Sequence, residues 1–145
     1  MCIRDRIYIS RKEHFNAAHK LANPNWSKEK NEEVFGPCAN ENWHGHNYEL
    51  IVTLKGEINP ETGYLVDLKK LSDLLKREII DVFDHKNINL DVPCMKGKMA
   101  STENIVIAMW ELLYDKIENM GEGDVCMLHS LKLYETPRNF VEYFG

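Results

Sequence analysis

Two stretches whose apolar residues recur at three- and four-residue steps constrain everything else in this chain. In DLKKLSDLLKREIIDVF, residues 67–83, Leu68, Leu71, Leu74, Leu75, Ile79, Val82 and Phe83 form one stripe opposite a face of Lys, Asp, Glu and Arg. In STENIVIAMWELLYDKIENMG, residues 101–121, Ile105, Val106, Met109, Leu112, Leu113, Ile117 and Met120 do the same. A one-striped helix must bury that stripe against another layer, and the remaining apolar residues lie in strand-like segments. Ile7 and Ile9 alternate at the start of residues 7–22, and residues 44–56 mix β-branched and apolar side chains up to Gly56. The chain closes with VCMLHSLKLYET and NFVEYFG around a turn at Pro137-Arg138-Asn139. The order strand, strand, helix, helix, strand, strand predicts an α+β domain with two helices on one face of an antiparallel sheet. Its 145 residues are a one-domain length, enough to bury roughly 68–70% of the unfolded surface without disulfide staples.

Local signals place the ends of these elements. Ser101 or Thr102 suits the N-cap of the second helix, Glu103 its positive first turn and Gly121 its C-terminal cap. Asn59-Pro60 and Gly63 predict a hairpin joining two strands. Residues 23–43 are polar and broken by Pro24, Asn25, Gly36 and Pro37, so they predict a long loop, and loops beyond ~12–15 residues in a compact domain are usually functional or disordered. Residues 1–6 are expected to be a variable extension ahead of a single domain spanning 7–145.

A net charge of −5 argues against a protein whose main task is coating nucleic acid. A small anionic substrate remains compatible with it, since Arg11-Lys12, Lys28 with Lys30, Lys96 with Lys98, or Lys20 could meet a phosphate, although most such charges are solvated faces. Cys2, Cys38, Cys94 and Cys126 form no C-x-x-C pair. The start, MCIRDRIYIS, lacks an apolar core of signal-peptide length, and no apolar run approaches a membrane span. The expectation is a cytoplasmic protein with free thiols and no membrane partner.

His44 and His46 stand two apart where a strand begins. Strand side chains at i and i+2 share a face, so both imidazoles can reach one ion, with Gly45 leaving the backbone between them bare. Zinc sites commonly take three protein nitrogens and keep a fourth position for water or substrate. The third nitrogen would come from His14, His19, His85 or His129, and His19 lies in NAAHKL, where Ala17 and Ala18 leave room. The plainer reading is a pair of strand histidines that happen to alternate.

Cys38 sits in a polar, Gly-Pro-flanked loop near that pair. A free cysteine is most often a small buried hydrophobe, which is the reading for Cys94 and Cys126. At Cys38 a thiol could close the metal site as a fourth ligand or act as a base beside an open one. Asp84-His85, after the first helix, is either a proton-transfer pair or a solvated helix end. Glu135 ends an apolar strand, as a solvated carboxylate or as an acceptor for two N–H donors of a flat, guanidine-like ring edge. Met109 and Trp110 read as core.

FNAAHKL, FGPCANENWHGHNYEL, DHKNINLDVP, STEN and LKLYET occur in one order and with spacings that resemble the 6-pyruvoyltetrahydropterin synthase family, over about residues 7–145. The resemblance implies the tunnelling fold: a four-stranded antiparallel sheet with two helices on one side, three subunits joining sheets into a barrel and two trimers stacking into a homohexamer. It implies that His19, His44 and His46 hold a zinc ion, that Cys38 is the catalytic cysteine, and that Asp84 and His85 complete its proton-transfer triad. Glu135 falls on the carboxylate that anchors the pterin ring, and Thr102 and Glu103 on the pocket segment before the second helix.

The activity so implied is conversion of 7,8-dihydroneopterin triphosphate to 6-pyruvoyltetrahydropterin with loss of triphosphate. Zinc would act as Lewis acid on side-chain oxygens, Cys38 as base on the side chain, and His85, oriented by Asp84, on the ring proton. Active sites would lie between subunits. Two alternatives accompany this reading. One is a 6-carboxytetrahydropterin synthase of queuosine biosynthesis, which uses the same substrate and also releases acetaldehyde. The five-residue ANENW spacer between Cys38 and His44 favours the pyruvoyl branch. The other is a non-catalytic module with a closed Cys-His₃ zinc centre, in which Asp84, His85 and Glu135 would have no use.

Overall fold

The structure, a computed structural model, describes residues 6–120 and 126–145. In chain order its elements are β1 (Arg6–His19), α1 (Lys28–Phe35), β2 (His44–Glu57), α2 (Leu68–Leu75), a π-helical turn (Lys76–Ile80), α3 (Asp81–Phe83), β3 (Lys86–Asn87), α4 (Ile88–Asp91), α5 (Thr102–Glu118), β4 (Cys126–Tyr134) and β5 (Phe140–Tyr143). Alternation builds the centre. β1 and β2 pair antiparallel along their whole length, from Arg6 opposite Glu57 to His19 opposite His44. β4 pairs with β2 and β5 with β4, both antiparallel. These four strands are those that the sequence pattern predicts.

Among the described residues the sheet nevertheless has five strands, in the order β3-β1-β2-β4-β5, and is mixed, because β3 lies parallel to β1 at Ala17 and Ala18. A two-residue strand is too short to show any alternation, so no sequence period could reveal it. In this single chain the sheet is open. A bulge between Thr53 and Leu54 shifts the register against β4, so Leu128 on one side and Leu131 and Leu133 on the other all face the core.

One face of the sheet carries Phe15, Tyr48, Leu50, Val52, Leu54, Leu131 and Leu133, all buried against Leu71, Leu75, Ile79, Phe83, Ile105, Met109, Leu113 and Ile117 of the helical layer. Leu71, Leu75, Ile79 and Phe83 repeat at a strict four-residue step. On an ideal α-helix that step drifts roughly 40° each time. The π turn at Lys76–Ile80 holds more residues per turn and takes up the drift, keeping Ile79 and Phe83 on the buried face. Asp67 caps α2, its carboxylate accepting from the N–H groups of Lys69 and Lys70.

Three local expectations change. Residues 23–43 are not all loop. They contain α1, capped by the Ser27 side chain and ended at Gly36 with φ 55°, and then a 3-10 turn at Gly36–Ala39. No residue of α1 is buried, so its sequence carries no apolar stripe to read. The turn at Asn59 and Gly63 does not join two strands. Gly63 N–H bonds back to Asn59 O, and the chain then runs through Leu65 and Val66, buried but unpaired to any strand, into the Asp67 cap. Of the two candidates for capping α5, Ser101 does it, its hydroxyl accepting from Asn104 N–H, while Gly121 lies outside the described residues.

Burial separates two leucine-rich helices from a surface one. Leu71→Ala, which empties a fully buried position, is expected to cost about 2–5 kcal/mol in urea unfolding. Val34→Ala, on α1 and 54% exposed, is expected to change stability by no more than about 0.5 kcal/mol in the same experiment.

Candidate active site

Strand parity and register bring three histidines together. His44 and His46 point to the helix-covered face of β2, and His19, the last residue of β1, pairs with His44 across the ladder. Their ring centroids lie 4.5 Å (His19–His44), 5.1 Å (His19–His46) and 4.9 Å (His44–His46) apart. One ligand atom from each lies within 4.8 Å of the others, so the three are positioned to bind a metal ion. His19 is 2% exposed and its Nδ1 donates to the carbonyl of Ala100 at 2.7 Å. A carbonyl only accepts, so Nδ1 carries the proton and Nε2 presents its lone pair, the usual arrangement behind a metal-ligating imidazole.

The donor set itself tests that fit. His19 Nε2, His44 Nδ1 and His46 Nε2 are buried and have no hydrogen-bond partner. Buried polar nitrogens are rarely left so, and a shared cation satisfies all three at once. Burial is also the first cause that pushes each of these imidazoles below its ordinary pKa, toward the neutral form that binds metals. Gly45 is not needed for space, since a Cβ there would meet Ala17 O at 3.4 Å, an ordinary contact. Of the other candidates for a third nitrogen, His14, His85 and His129 are not in the group, and neither is the Cys38 thiol. The metal-binding set is three nitrogens, and no closed Cys-His₃ centre forms among the described residues.

Cys38 lies half-buried in the 3-10 turn at Gly36–Ala39, its thiol free and its carbonyl accepting from Leu21 N–H at 2.8 Å. That bond ties the cysteine turn to the chain two residues past His19. Asp84 and His85 are in contact, His85 Nδ1 lying 2.9 Å from Asp84 Oδ2. The other carboxylate oxygen accepts from Asn16 N–H at 2.9 Å, and His85 N–H donates to Asn16 O at 2.6 Å. The Asn16 N–H is the main cause, with His85 adding to it, that holds the Asp84 carboxyl below its usual range. The His85 side chain is 77% exposed and adopts φ 58°, left-handed backbone that a β-carbon disfavours.

Glu135 follows β4 directly and reaches the histidines. Its Oε1 is 3.5 Å from His46 Nε2, an ion-pair distance without hydrogen-bond geometry, while its Oε2 accepts from the Thr102 hydroxyl. Thr102 is buried in the first turn of α5, and Glu103 stands beside it on the wall of a cleft of about 390 Å³ that Glu135 and Arg138 also line. On its other side Glu135 shares a cleft of about 840 Å³ with His14, His46, Asn47 and Tyr134. A further cleft of about 450 Å³ joins His46 and Asn47 to His85. A separate hollow of about 620 Å³ near α1, lined by Lys20, Trp26 and Lys28, includes none of the three histidines. Among the basic clusters, Lys12 pairs with Glu49, Lys30 lies over Trp26, and Lys20 lies 4.3 Å over the ring of Trp43, just before His44.

The sequence carries no motif that marks two further residues at the site. Ala100, whose carbonyl fixes the His19 tautomer, has no side-chain signal that could have exposed it. Tyr48 did have one: the two-residue period of HGHNY puts it on the same face as His44 and His46. It is fully buried, with its ring 5.7 Å from His46 and 6.1 Å from His19. Burial first, and the charge of Glu135 second, push its phenol above the ordinary value.

Known proteins are similar to this chain over nearly its whole length. Residues 8–145 match the family model described as 6-pyruvoyl tetrahydropterin synthase. The 6-pyruvoyl tetrahydrobiopterin synthases of Pongo abelii and Homo sapiens are 39% and 38% identical to it over 142 residues, covering 98% of this chain and 94% of theirs. The structure of Caenorhabditis elegans 6-pyruvoyl tetrahydropterin synthase superposes with a TM-score of 0.85 at 34% identity, over 97% of this chain and 96% of that one. A more distant match is the 6-carboxy-5,6,7,8-tetrahydropterin synthase of Rickettsia bellii, 28% identical over 68% of this chain and 80% of its own. A match that runs from the first strand to the last residue, in sequence and in fold alike, makes this chain a member of the 6-pyruvoyl tetrahydropterin synthase family.

Proposed function

We propose that this lyase-type enzyme is a zinc-dependent 6-pyruvoyltetrahydropterin synthase, converting 7,8-dihydroneopterin triphosphate to 6-pyruvoyltetrahydropterin and triphosphate. The observation that carries the reading is a three-nitrogen metal site with a carboxylate, Glu135, on its wall and the Cys38 thiol left out of the ligand set. Zinc, when bound by His19, His44 and His46, would supply Lewis acidity toward the oxygens of the substrate side chain. Glu135, one oxygen engaged by Thr102, keeps acceptor capacity for the N–H edge of a pterin ring, with Glu103 on the same cleft wall. Cys38 would take the side-chain proton. Asp84 holds His85 Nδ1, which leaves Nε2 to carry the proton exchanged with the ring.

The exposed His85 supports sites completed between copies of the chain. Among the described residues β3 covers the outer edge of β1 only at Ala17 and Ala18, and Asp84 and His85 engage Asn16, so Ile7–Phe15 offers an edge for strand pairing, and β5 offers another. We take the assembly to be a homohexamer in which these edges pair, built from one domain per chain. No described helix is long and apolar enough to cross a membrane. The thiols of Cys38, Cys94 and Cys126 are unpaired, which supports a reducing, cytoplasmic setting. The second reading, 6-carboxytetrahydropterin synthase, shares the substrate and has the Rickettsia bellii similarity behind it, at lower identity and coverage than the pyruvoyl relatives.

Zinc-loaded protein incubated with 7,8-dihydroneopterin triphosphate is expected to yield 6-pyruvoyltetrahydropterin by mass. A 6-carboxy product with acetaldehyde would establish the second reading, and no turnover with zinc bound would remove both. Chelation should abolish turnover and zinc should restore it. Cys38→Ala is expected to keep its zinc, by elemental analysis, and to lose about 10²–10⁴-fold in kcat; simultaneous loss of zinc would make the thiol a ligand. Native mass spectrometry should find a species about six times the 16.9 kDa chain mass.

A further inference from the structure

Among the described residues, four buried side-chain polar atoms have no partner, and three are the ring nitrogens of the metal-binding histidines. The fourth is the hydroxyl of Tyr48. It is not elsewhere in the core. Tyr48 follows His46 by two residues on the same strand face, and its ring meets those of His46 and His19 edge-on, at interplanar angles of 77° and 79°. Phe15, directly opposite on β1, stacks on it at 4.9 Å and 8°, which fixes the ring plane, and Tyr48 lines the same cleft as His46 and Glu135. A phenylalanine would pack against Phe15 equally well and leave no orphaned hydroxyl.

We propose that the Tyr48 hydroxyl donates its hydrogen bond into the three-histidine pocket, to the oxygen of the water or substrate hydroxyl that enters there. This rests on the metal-site reading above and extends it. Three histidines leave room for an oxygen ligand, and an oxygen so placed accepts hydrogen bonds. A neutral phenol is a donor across the physiological range, and this one has no acceptor among the described residues. One shared cause, an occupant of the pocket, thus satisfies all four orphaned atoms. Tyr48 holds that oxygen in orientation; the protons of the reaction stay with Cys38 and His85.

The test is Tyr48→Phe in the full-length protein, loaded with cobalt(II) in one arm and zinc in the other, beside wild type. The ring is retained, so the metal-free variant should melt at or above the wild-type temperature. The visible d–d bands of the cobalt form should shift, zinc affinity measured by chelator competition should fall about tenfold, and kcat should fall with KM within about twofold. Cobalt bands and zinc affinity identical to wild type would overturn the proposal. In that case a raised KM would assign the hydroxyl to Glu135 and pterin binding, and unchanged kinetics would leave it a core residue. Wild type that binds neither metal would instead overturn the functional reading, and this one with it.

Discussion

The register of β1 against β2 is the constraint on which the rest of the molecule depends. Side chains alternate faces along a strand, so a slip of one residue would turn Phe15 and His19 away from the helices and leave His44 and His46 without their third partner. What prevents the slip is the hydrophobic half of the same ladder. Phe15 stacked on Tyr48, with Leu50, Val52 and Leu54 fully buried behind it, holds the pairing by burial of apolar surface at roughly 25 cal/mol per Å². Three desolvated imidazoles are a cost to folding in the absence of metal. They sit at the end of a fourteen-residue ladder, where the apolar positions can bear it.

From that ladder the remaining site residues hang by backbone. Asn16 receives both Asp84 and His85, through its N–H and its carbonyl. His19 fixes Ala100, and with it the approach to the helix start that carries Thr102 and Glu103. Lys20 exchanges hydrogen bonds with Asn89, and Leu21 N–H holds the carbonyl of Cys38. Six consecutive residues, 16–21, therefore contact every segment that supplies a candidate group except the one bearing Glu135. That carboxylate arrives from β4, which is itself registered on β2. Each of these bonds has a main-chain group on at least one side, and all are made by β1 or the two residues after it, a sounder base for the proposed site than side chains meeting across loops.

How much of this the sequence showed follows from the kind of signal each part leaves. The long strands and the two buried helices are periodic, so they were legible, and so was the pairing of His44 with His46, which is the same period seen in polar residues. α1 was not, because a helix that buries nothing has no stripe, and β3 was not, because two residues have no period. The turn at Asn59–Gly63 has hairpin chemistry but feeds a helix, since β2 had already found its antiparallel neighbours in β1 and β4. His19 could be separated from His14, His85 and His129 as third ligand only by resemblance, and the strand register supplies the physical reason for the choice. Tyr48 was within reach of the period but carried no motif to draw notice.

Backbone strain points to the same place by an independent route. Among the described residues only Trp43 and His85 adopt positive φ without being glycine, at 67° and 58°. Each such conformation costs on the order of 1–2 kcal/mol and survives only where its surroundings over-determine it. At His85 the surroundings are the bond to Asn16 O and the grip of Asp84 on the ring; at Trp43 they are the bond to Asn40 O and Lys20 over the indole. One residue is half of the Asp84-His85 pair proposed for proton transfer, and the other immediately precedes the first strand histidine. A chain that tolerated strain at random would scatter it over its turns, most of which here use glycine or accept no strain at all. Among the described residues its confinement to these two positions fits the proposed site, where it sets the aim of His85 and the entry of β2 into His44.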